Sequence, residues 1–255
     1  SNENFVLNKN SKILFLMRSY NRPKYLEETL NSLDKSDVKD CYKKIIYDDK
    51  SNKETINILN KYEKKYDIIY NNKNYKQKSM VKFLDIILNS NYDYDYVCYL
   101  DNDIKTNKNI IEKCINIFEL IKKEQNLQND KILLTSFNSH RHHKTIKKYK
   151  NYIEKNTIGG IHMFFHKSLL KKIKDWWNKG QDWGICSGLK KENGRIFCTK
   201  PSIIDHIGEI GDNSGGKDNY DKSIDYENFK NYNNYDCRRK LILTSACGRL
   251  GNQTL

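Results

Sequence analysis

An α/β fold, with a mostly parallel central sheet flanked by helices, is what this sequence predicts. Short continuous apolar runs, the pattern of strands buried on both faces, alternate with segments whose apolar residues recur at helical spacing. Each run empties into a polar loop, and two of those loops are rich in aspartate. The alternation, which holds to about residue 135, calls for parallel strands joined by crossover helices that cover the sheet.

Lys12 to Met17 is the first run, and it ends in Arg18-Ser19-Tyr20-Asn21-Arg22-Pro23. Pro23 suits a first helical turn, where a missing N–H costs nothing, and Leu26, Leu30 and Leu33 recur behind it. Lys44 to Tyr47 is a second strand, released into Asp48-Asp49-Lys50-Ser51-Asn52. A helix with Ile56, Leu59 and Tyr62 on one face follows, then a third strand over Asp67 to Tyr70. Gln77 to Leu88 reads as a helix buried along Val81, Leu84, Ile87 and Leu88. Tyr96 to Leu100 is a strand that runs straight into Asp101-Asn102-Asp103. A helix from about Asn109 to Lys123 and a strand over Ile132 to Phe137 complete the alternation.

Past residue 138 the rhythm lapses. His140-Arg141-His142-His143 opens a basic, solvated stretch, and Thr157 to Phe165 is strand-like around Gly159-Gly160. A helix over Ser168 to Trp177, a Gly-rich turn, then Asp182-Trp183 and Pro201 to Gly208 come next. Residues 209–236 are rich in Gly, Asn, Asp and Tyr without periodicity and read as a flexible tail or linker. No internal repeat is present.

The 255 residues suffice for a sizeable core, and the aromatic share of 12% argues for a folded chain despite a mean hydropathy of −0.86. Lys+Arg 46 against Asp+Glu 32 leaves +14, which suits nucleotide diphosphates, polyanions or acidic surfaces. The basic residues are spread over the whole length without a nucleic-acid module signature, so no nucleic-acid partner is expected. The 7 cysteines form no CxxC pair and are odd in number, which reads as reduced thiols in a reducing, cytoplasmic compartment. The abundance of Lys, Asn, Ile and Tyr beside 2 prolines looks like AT-rich coding, as in a virus within host cytoplasm. No run of about 18 apolar residues exists, so no integral membrane segment is expected. The opening Ser1-Asn2, without Met, suggests a piece of a longer protein.

The strand ending in Asp101-Asn102-Asp103 places two carboxylates where an α/β sheet binds its ligand. Hard cations such as Mn²⁺ or Mg²⁺ prefer carboxylate and phosphate oxygens and bridge the two. The plainer reading is a polar turn with two solvated aspartates.

Taken in order over about residues 12 to 210, these motifs resemble the GT-A nucleotide-sugar glycosyltransferases, especially the inverting family 2 type. The resemblance implies a GT-A (Rossmann-like) sheet with a smaller mixed acceptor-side region. It implies a metal-dependent transfer of a sugar from a UDP-sugar to a hydroxyl of a glycan or glycoprotein, with inversion. In that family Arg18 to Pro23 would meet the nucleoside through Ser19, Tyr20 and Arg22, with Tyr20 stacked on the base. Asp49 would receive the uracil imide, while Asp48 serves its loop. Asp103 would hold Mn²⁺ or Mg²⁺, with Asp101 on the metal or the ribose, Asn102 between them and His206 as a third ligand. Arg18 and Lys78 would meet the nucleotide or its diphosphate, Gly160 would line the sugar site, and Asp182 would be the general base. The plainer readings are a helix cap for Asp182, Asp48 and Asp49, a packed Tyr20, a structural His206, and surface charge for each cation.

Two positions depart from the family pattern. Lys50 replaces the usual glycine after Asp-Asp, and Lys73-Asn74-Tyr75-Lys76-Gln77-Lys78 replaces a glycine-rich segment. At the far end, Lys240 to Gln253, with Gly248-Arg249-Leu250-Gly251-Asn252-Gln253, resembles the opening strand and loop of α-1,2-fucosyltransferase-like enzymes. The resulting organisation is a GT-A domain over 1–210, a linker over 211–239 and the start of a second, covalently linked transferase domain over 240–255. Two other classes remain open. A nucleotidyltransferase acting on sugar phosphates would carry a Gly-rich phosphate loop, which Arg18 to Pro23 lacks; a non-catalytic carbohydrate-binding module would leave the ordered aspartates without a task.

Overall fold

In β1 (Ile13–Ser19), Ile13, Phe15 and Met17 face one side of the central sheet and Leu14 and Leu16 the other, all of them buried. This period-two division between two apolar layers is what a strand sandwiched by helices requires. The coordinates are a computed structural model that describes residues 11–142, 144–209 and 221–226. The segment resembling a fucosyltransferase, 240–255, lies outside them.

β2 (Lys43–Asp48) and β3 (Asp67–Tyr70) extend the sheet on one side of β1 and β4 (Tyr96–Leu100) on the other, every pairing parallel. α1 (Pro23–Leu33), α2 (Lys53–Asn60) and α4 (Ile110–Gln125) pack on the Phe15 face, and α3 (Ser79–Leu88) on the Leu14 face. This half follows the sequence expectation closely. One stripe is rotated, however. In α3 the buried residues are Met80, Phe83, Leu84 and Ile87, whereas Val81 and Leu88 are only half-buried, because Phe83 stacks on Tyr47 of β2 at 4.9 Å.

The other half is mixed. A short β5 (Ile104–Thr106) leaves the main sheet and pairs with β11 (Ile204–His206). β6 (Ile132–Thr135) does not join β4, because β9 (His162–His166) inserts antiparallel between them. Beyond β6 lie β10 (Arg195–Thr199), β8 (Tyr152–Lys155) and the edge strand β7 (Thr145–Lys148). The full order is β3-β2-β1-β4-β9-β6-β10-β8-β7. α5 (Leu170–Lys191) covers the Leu14 face beside α3. It runs past Trp177, breaks at Gly180-Gln181 where the sequence predicts a Gly-rich turn, and resumes with Asp182-Trp183. The helix is interrupted at Gln181, whose φ of 53° is left-handed. Past the break it packs back on itself: a Cβ at Gly188 would stand 2.4 Å from the Trp176 ring, so only glycine fits there.

The sequence assigns 211–239 to a linker, yet residues 221–226 pack against the sheet end. Ser223 bridges Ser139, and Ile224 N–H donates to the Asn138 carbonyl at 2.9 Å. Asp225 accepts from the Ser202 amide at 3.1 Å. The cysteines described, Cys41, Cys98, Cys114, Cys186 and Cys198, are free thiols. Among the described residues no helix is long and apolar enough to cross a membrane.

His162, in the centre of the sheet, is fully buried, and its Nδ1 accepts the Ser136 amide at 2.8 Å. Burial pushes its pKa down to about 3. An unfolded histidine takes up a proton near 6.5, so this site favours the folded chain above that pH. The contribution is lost as pH falls from 6.5 toward 3, at up to about 1.4 kcal/mol per pH unit. His162→Asn keeps an acceptor for the Ser136 amide but cannot charge. Urea unfolding at pH 7 and pH 5 should show a smaller acid loss in the variant, and equal losses would refute the assignment.

Candidate functional site

β1, β2 and β4 all end on one rim, and the residues that follow them converge on a cavity of about 950 Å³. Every site residue picked out from the sequence lines it: Ser19, Tyr20, Arg22, Asp49, Lys78, Asp101, Asn102, Asp103, Gly160, Asp182 and His206. The loops that carry them are knitted together. Asn21 N–H donates to Ser51 Oγ at 2.8 Å, and Asn52 N–H returns to Asn21 Oδ1 at 2.8 Å. Asn21 and Arg22 both hold positive φ, as does Lys50 at 64°. That left-handed backbone at Lys50 is a conformation that favours a residue without Cβ.

The two strand-2 aspartates divide their work. Asp48 Oδ2 accepts the Ser51 amide at 2.9 Å and so closes its own loop. Neither aspartate caps α2; Asn52 does, accepting from the Thr55 amide at 3.0 Å. Asp49, buried, accepts from the amides of Tyr75 at 2.9 Å and Lys76 at 3.1 Å. It thereby pins the segment that replaces the glycine-rich loop and brings Lys76 and Lys78 to the cavity.

The carboxylates after β4 face different partners. Asp101 Oδ1 accepts from Tyr99 Oη at 2.5 Å and from Arg18 at 3.4 Å, with the Arg18 guanidinium 5.2 Å from the Trp177 ring. Burial pushes the Asp101 pKa upward against the pull of Arg18. Asp103 is 4% exposed, and its Oδ2 lies 3.1 Å from His206 Nε2 and is paired with Arg22. Burial would raise its pKa, but His206 and Arg22 hold it below the ordinary carboxylate range. Burial lowers the His206 pKa, and the hydrogen bond and charge of Asp103 outweigh that, leaving it above the ordinary value. Gly208 closes over the pair: a Cβ there would stand 2.2 Å from Asp103 Oδ2 and 2.7 Å from His206 Nε2.

Among the described residues no group of three or more His, Cys, Asp or Glu is set as a metal centre. Asp103 and His206 are the two donors that meet; Asp101 is turned toward Arg18 and Tyr99 instead. A cation held here would therefore take two protein donors and fill its remaining positions with water and phosphate oxygens, as Mg²⁺ commonly does.

Asp182 begins the second segment of α5, and its Oδ1 accepts the Trp183 amide at 2.9 Å. It thus serves its helix while its carboxylate lines the cavity. Gly160 lies against the Trp177 ring, beside Asp182. Sequence reasoning missed Arg141 and Asp221, which also line the cavity, as does His142. His142, expected to be solvated, is half-buried: its Nδ1 is 3.0 Å from Thr157 Oγ1 and its ring 5.2 Å from Trp183. Burial lowers its pKa, against the opposing charge of Asp182. The only sequence signal was position, since His140 to His143 follow a strand at the ligand-binding end of the sheet.

Acidic and basic side chains gathered beyond the strand ends of an open α/β sheet stand where folds of this class bind their ligands. The sequence model for glycosyl transferase family 2 matches residues 15–174, and the chain belongs to that family. Solved structures show the same architecture. A crystal structure of GalNAc-T7 with UDP, GalNAc and Mn²⁺ superposes with a TM-score of 0.59 at 12% identity, covering 76% of this chain and 43% of that one. A crystal structure of S. aureus TarS gives 0.50 at 18% identity, covering 82% of this chain and 36% of that one. This chain thus spans less than half the length of either. No curated protein matches it.

Proposed function

We propose that this glycosyltransferase domain moves a sugar from a UDP-sugar to a hydroxyl of a glycan or glycoprotein, with inversion and with the help of Mn²⁺ or Mg²⁺. The observation that carries the reading is the buried Asp103 carboxylate facing His206 Nε2 at the carboxyl end of β4, in a cavity that also collects Asp49, Arg18, Arg22 and Lys78. Asp103 and His206 are the residues to hold the cation. Bound there, it would neutralise charge on the departing diphosphate.

The chain's own groups do the rest. Tyr20, 42% exposed at the rim, stacks on the base, and Asp49 accepts the uracil imide beside the amides it already holds. Asp101 and Asn102 face the ribose. Ser19, Lys78 and the two arginines enclose the phosphates, and the guanidiniums are always charged. On the far wall, beside Gly160, Asp182 takes the proton of the acceptor hydroxyl as its oxygen bonds to the anomeric carbon. The bond from that carbon to UDP breaks, and its electron pair leaves with the diphosphate. Line-up of these partners is the main contribution of the cavity.

Trp183 is 62% exposed next to Asp182, and a saccharide acceptor stacks its C–H face there while its hydroxyl reaches the carboxylate. Trp183→Ala should raise the acceptor KM about tenfold, the worth of one aromatic contact, with the UDP-sugar KM unchanged. An unchanged acceptor KM would remove Trp183 from the site. The reading as a whole is tested by calorimetric titration of UDP with Mn²⁺ and again after EDTA. Affinity that collapses on chelation supports it; affinity indifferent to EDTA favours a non-catalytic binding module. Screening UDP-sugars for metal-dependent hydrolysis then identifies the donor. The likeness at 240–255 adds the proposal of a second transferase domain in the full-length protein.

A further inference from the structure

His206 does not orient itself. Its Nδ1 lies 2.7 Å from the backbone carbonyl of Asp221, and a carbonyl only accepts, so that nitrogen carries the proton. The other nitrogen, Nε2, is thereby the one directed at Asp103. Hydrogen bonds of this kind fix the tautomer and ring angle of a ligating histidine.

The carbonyl belongs to a strap, residues 221–226, that crosses the end of the sheet. His140 N–H donates to Lys222 O at 2.7 Å, and Ile224 N–H to Asn138 O at 2.9 Å. Two carboxylates latch it. Asp221 accepts from Ser139 Oγ at 2.8 Å and from the Arg141 amide at 3.0 Å. Asp225 accepts from Ser202 through both its amide, at 3.1 Å, and its hydroxyl, at 2.5 Å. Ser202 leads into β11, the strand that carries His206, so the strap is tied to both sides of that imidazole.

We infer that docking of the strap 221–226, latched by Asp221 and Asp225, sets the imidazole of His206 for the cation, making these aspartates positioning residues for metal binding. The inference rests on the cation site proposed above. It places the effective end of the site past residue 209, on a segment that no sequence motif marks.

The test is Mn²⁺ affinity in the presence of UDP, measured on the full chain by calorimetry and by the EPR signal of free Mn²⁺. Asp225→Ala and Asp221→Ala should each weaken Mn²⁺ about 10- to 100-fold, the usual effect of losing an outer-shell partner. UDP affinity without metal should not change in Asp225→Ala, since Asp225 lies outside the cavity lining. Asp225→Asn, which keeps an oxygen for Ser202, should recover much of the loss, a rescue that general destabilisation would not show. If Asp225→Ala unfolds, Ser139→Ala carries the measurement, since it removes a partner of Asp221 and leaves the strap sequence intact. Variants that bind Mn²⁺ as the parent chain does would overturn the inference. A parent chain that binds no Mn²⁺ would instead sink the cation site itself.

Discussion

Asp103→Asn is expected to remove the strengthening of UDP binding by Mn²⁺, a loss of at least about 100-fold in affinity, or roughly 2.7 kcal/mol. The side chain keeps its size, so the cavity keeps its shape, but its charge is gone and a single neutral amide oxygen is a far weaker ligand for a hard cation than a carboxylate. Asp103 is also the partner of Arg22 and His206, so the variant leaves the Arg22 guanidinium without its counter-charge and His206 without its carboxylate. A buried pair broken from one side costs about 3–5 kcal/mol, but Arg22 remains 28% exposed and water offsets part of that. Thermal unfolding should therefore fall measurably while the chain stays folded. Asp101→Asn is the control. Its carboxylate faces Arg18 and Tyr99, so it should weaken UDP with and without metal alike. A Mn²⁺ response that survives in Asp103→Asn would place the cation elsewhere.

The legible part of this molecule is the part where hydrophobicity does the specifying. β1 and β4 are buried at almost every position, so continuous apolar runs announce them, and the polar residues at their ends mark the ligand rim. The invisible part is held by polar groups whose partners are remote in sequence. β8 reads Tyr-Ile-Glu-Lys, and all four residues are buried. Glu154 is matched by Arg195 at 2.6 Å, and Lys155 Nζ donates to Asn138 Oδ1 at 2.8 Å. Neither pairing can be inferred from a hydropathy pattern. The same reason hides residues 221–226. Asp221 and Asp225 look like solvated linker residues until Ser139 and Ser202 stand opposite them.

Local geometry adds a third category. Arg22 and Lys50 take left-handed backbone that favours glycine, and only the folded loops show why the chain tolerates them. Arg22 precedes Pro23, which opens α1, and its side chain reaches Asp103. The two loops support each other through Asn21 and Ser51. At Arg22, strain of about 1–2 kcal/mol accompanies a charged side chain aimed into the cavity.

Asp182→Asn should separate chemistry from binding. The amide oxygen can still accept the Trp183 N–H, so the second segment of α5 keeps its first-turn hydrogen bond and its stability. The Mn²⁺ and UDP contacts involve other walls of the cavity and should be untouched. Proton removal from the acceptor is what fails, and general-base assistance is worth about 10²- to 10⁴-fold in rate. Turnover should fall by that factor with the UDP-sugar KM unchanged, as expected for a group that acts only in the transition state. His142 gives an internal check, because burial keeps its imidazole readily deprotonated and it lines the same cavity. If Asp182→Asn turns over normally and a His142→Gln chain does not, the proton goes to the imidazole, and the carboxylate is left with its helix.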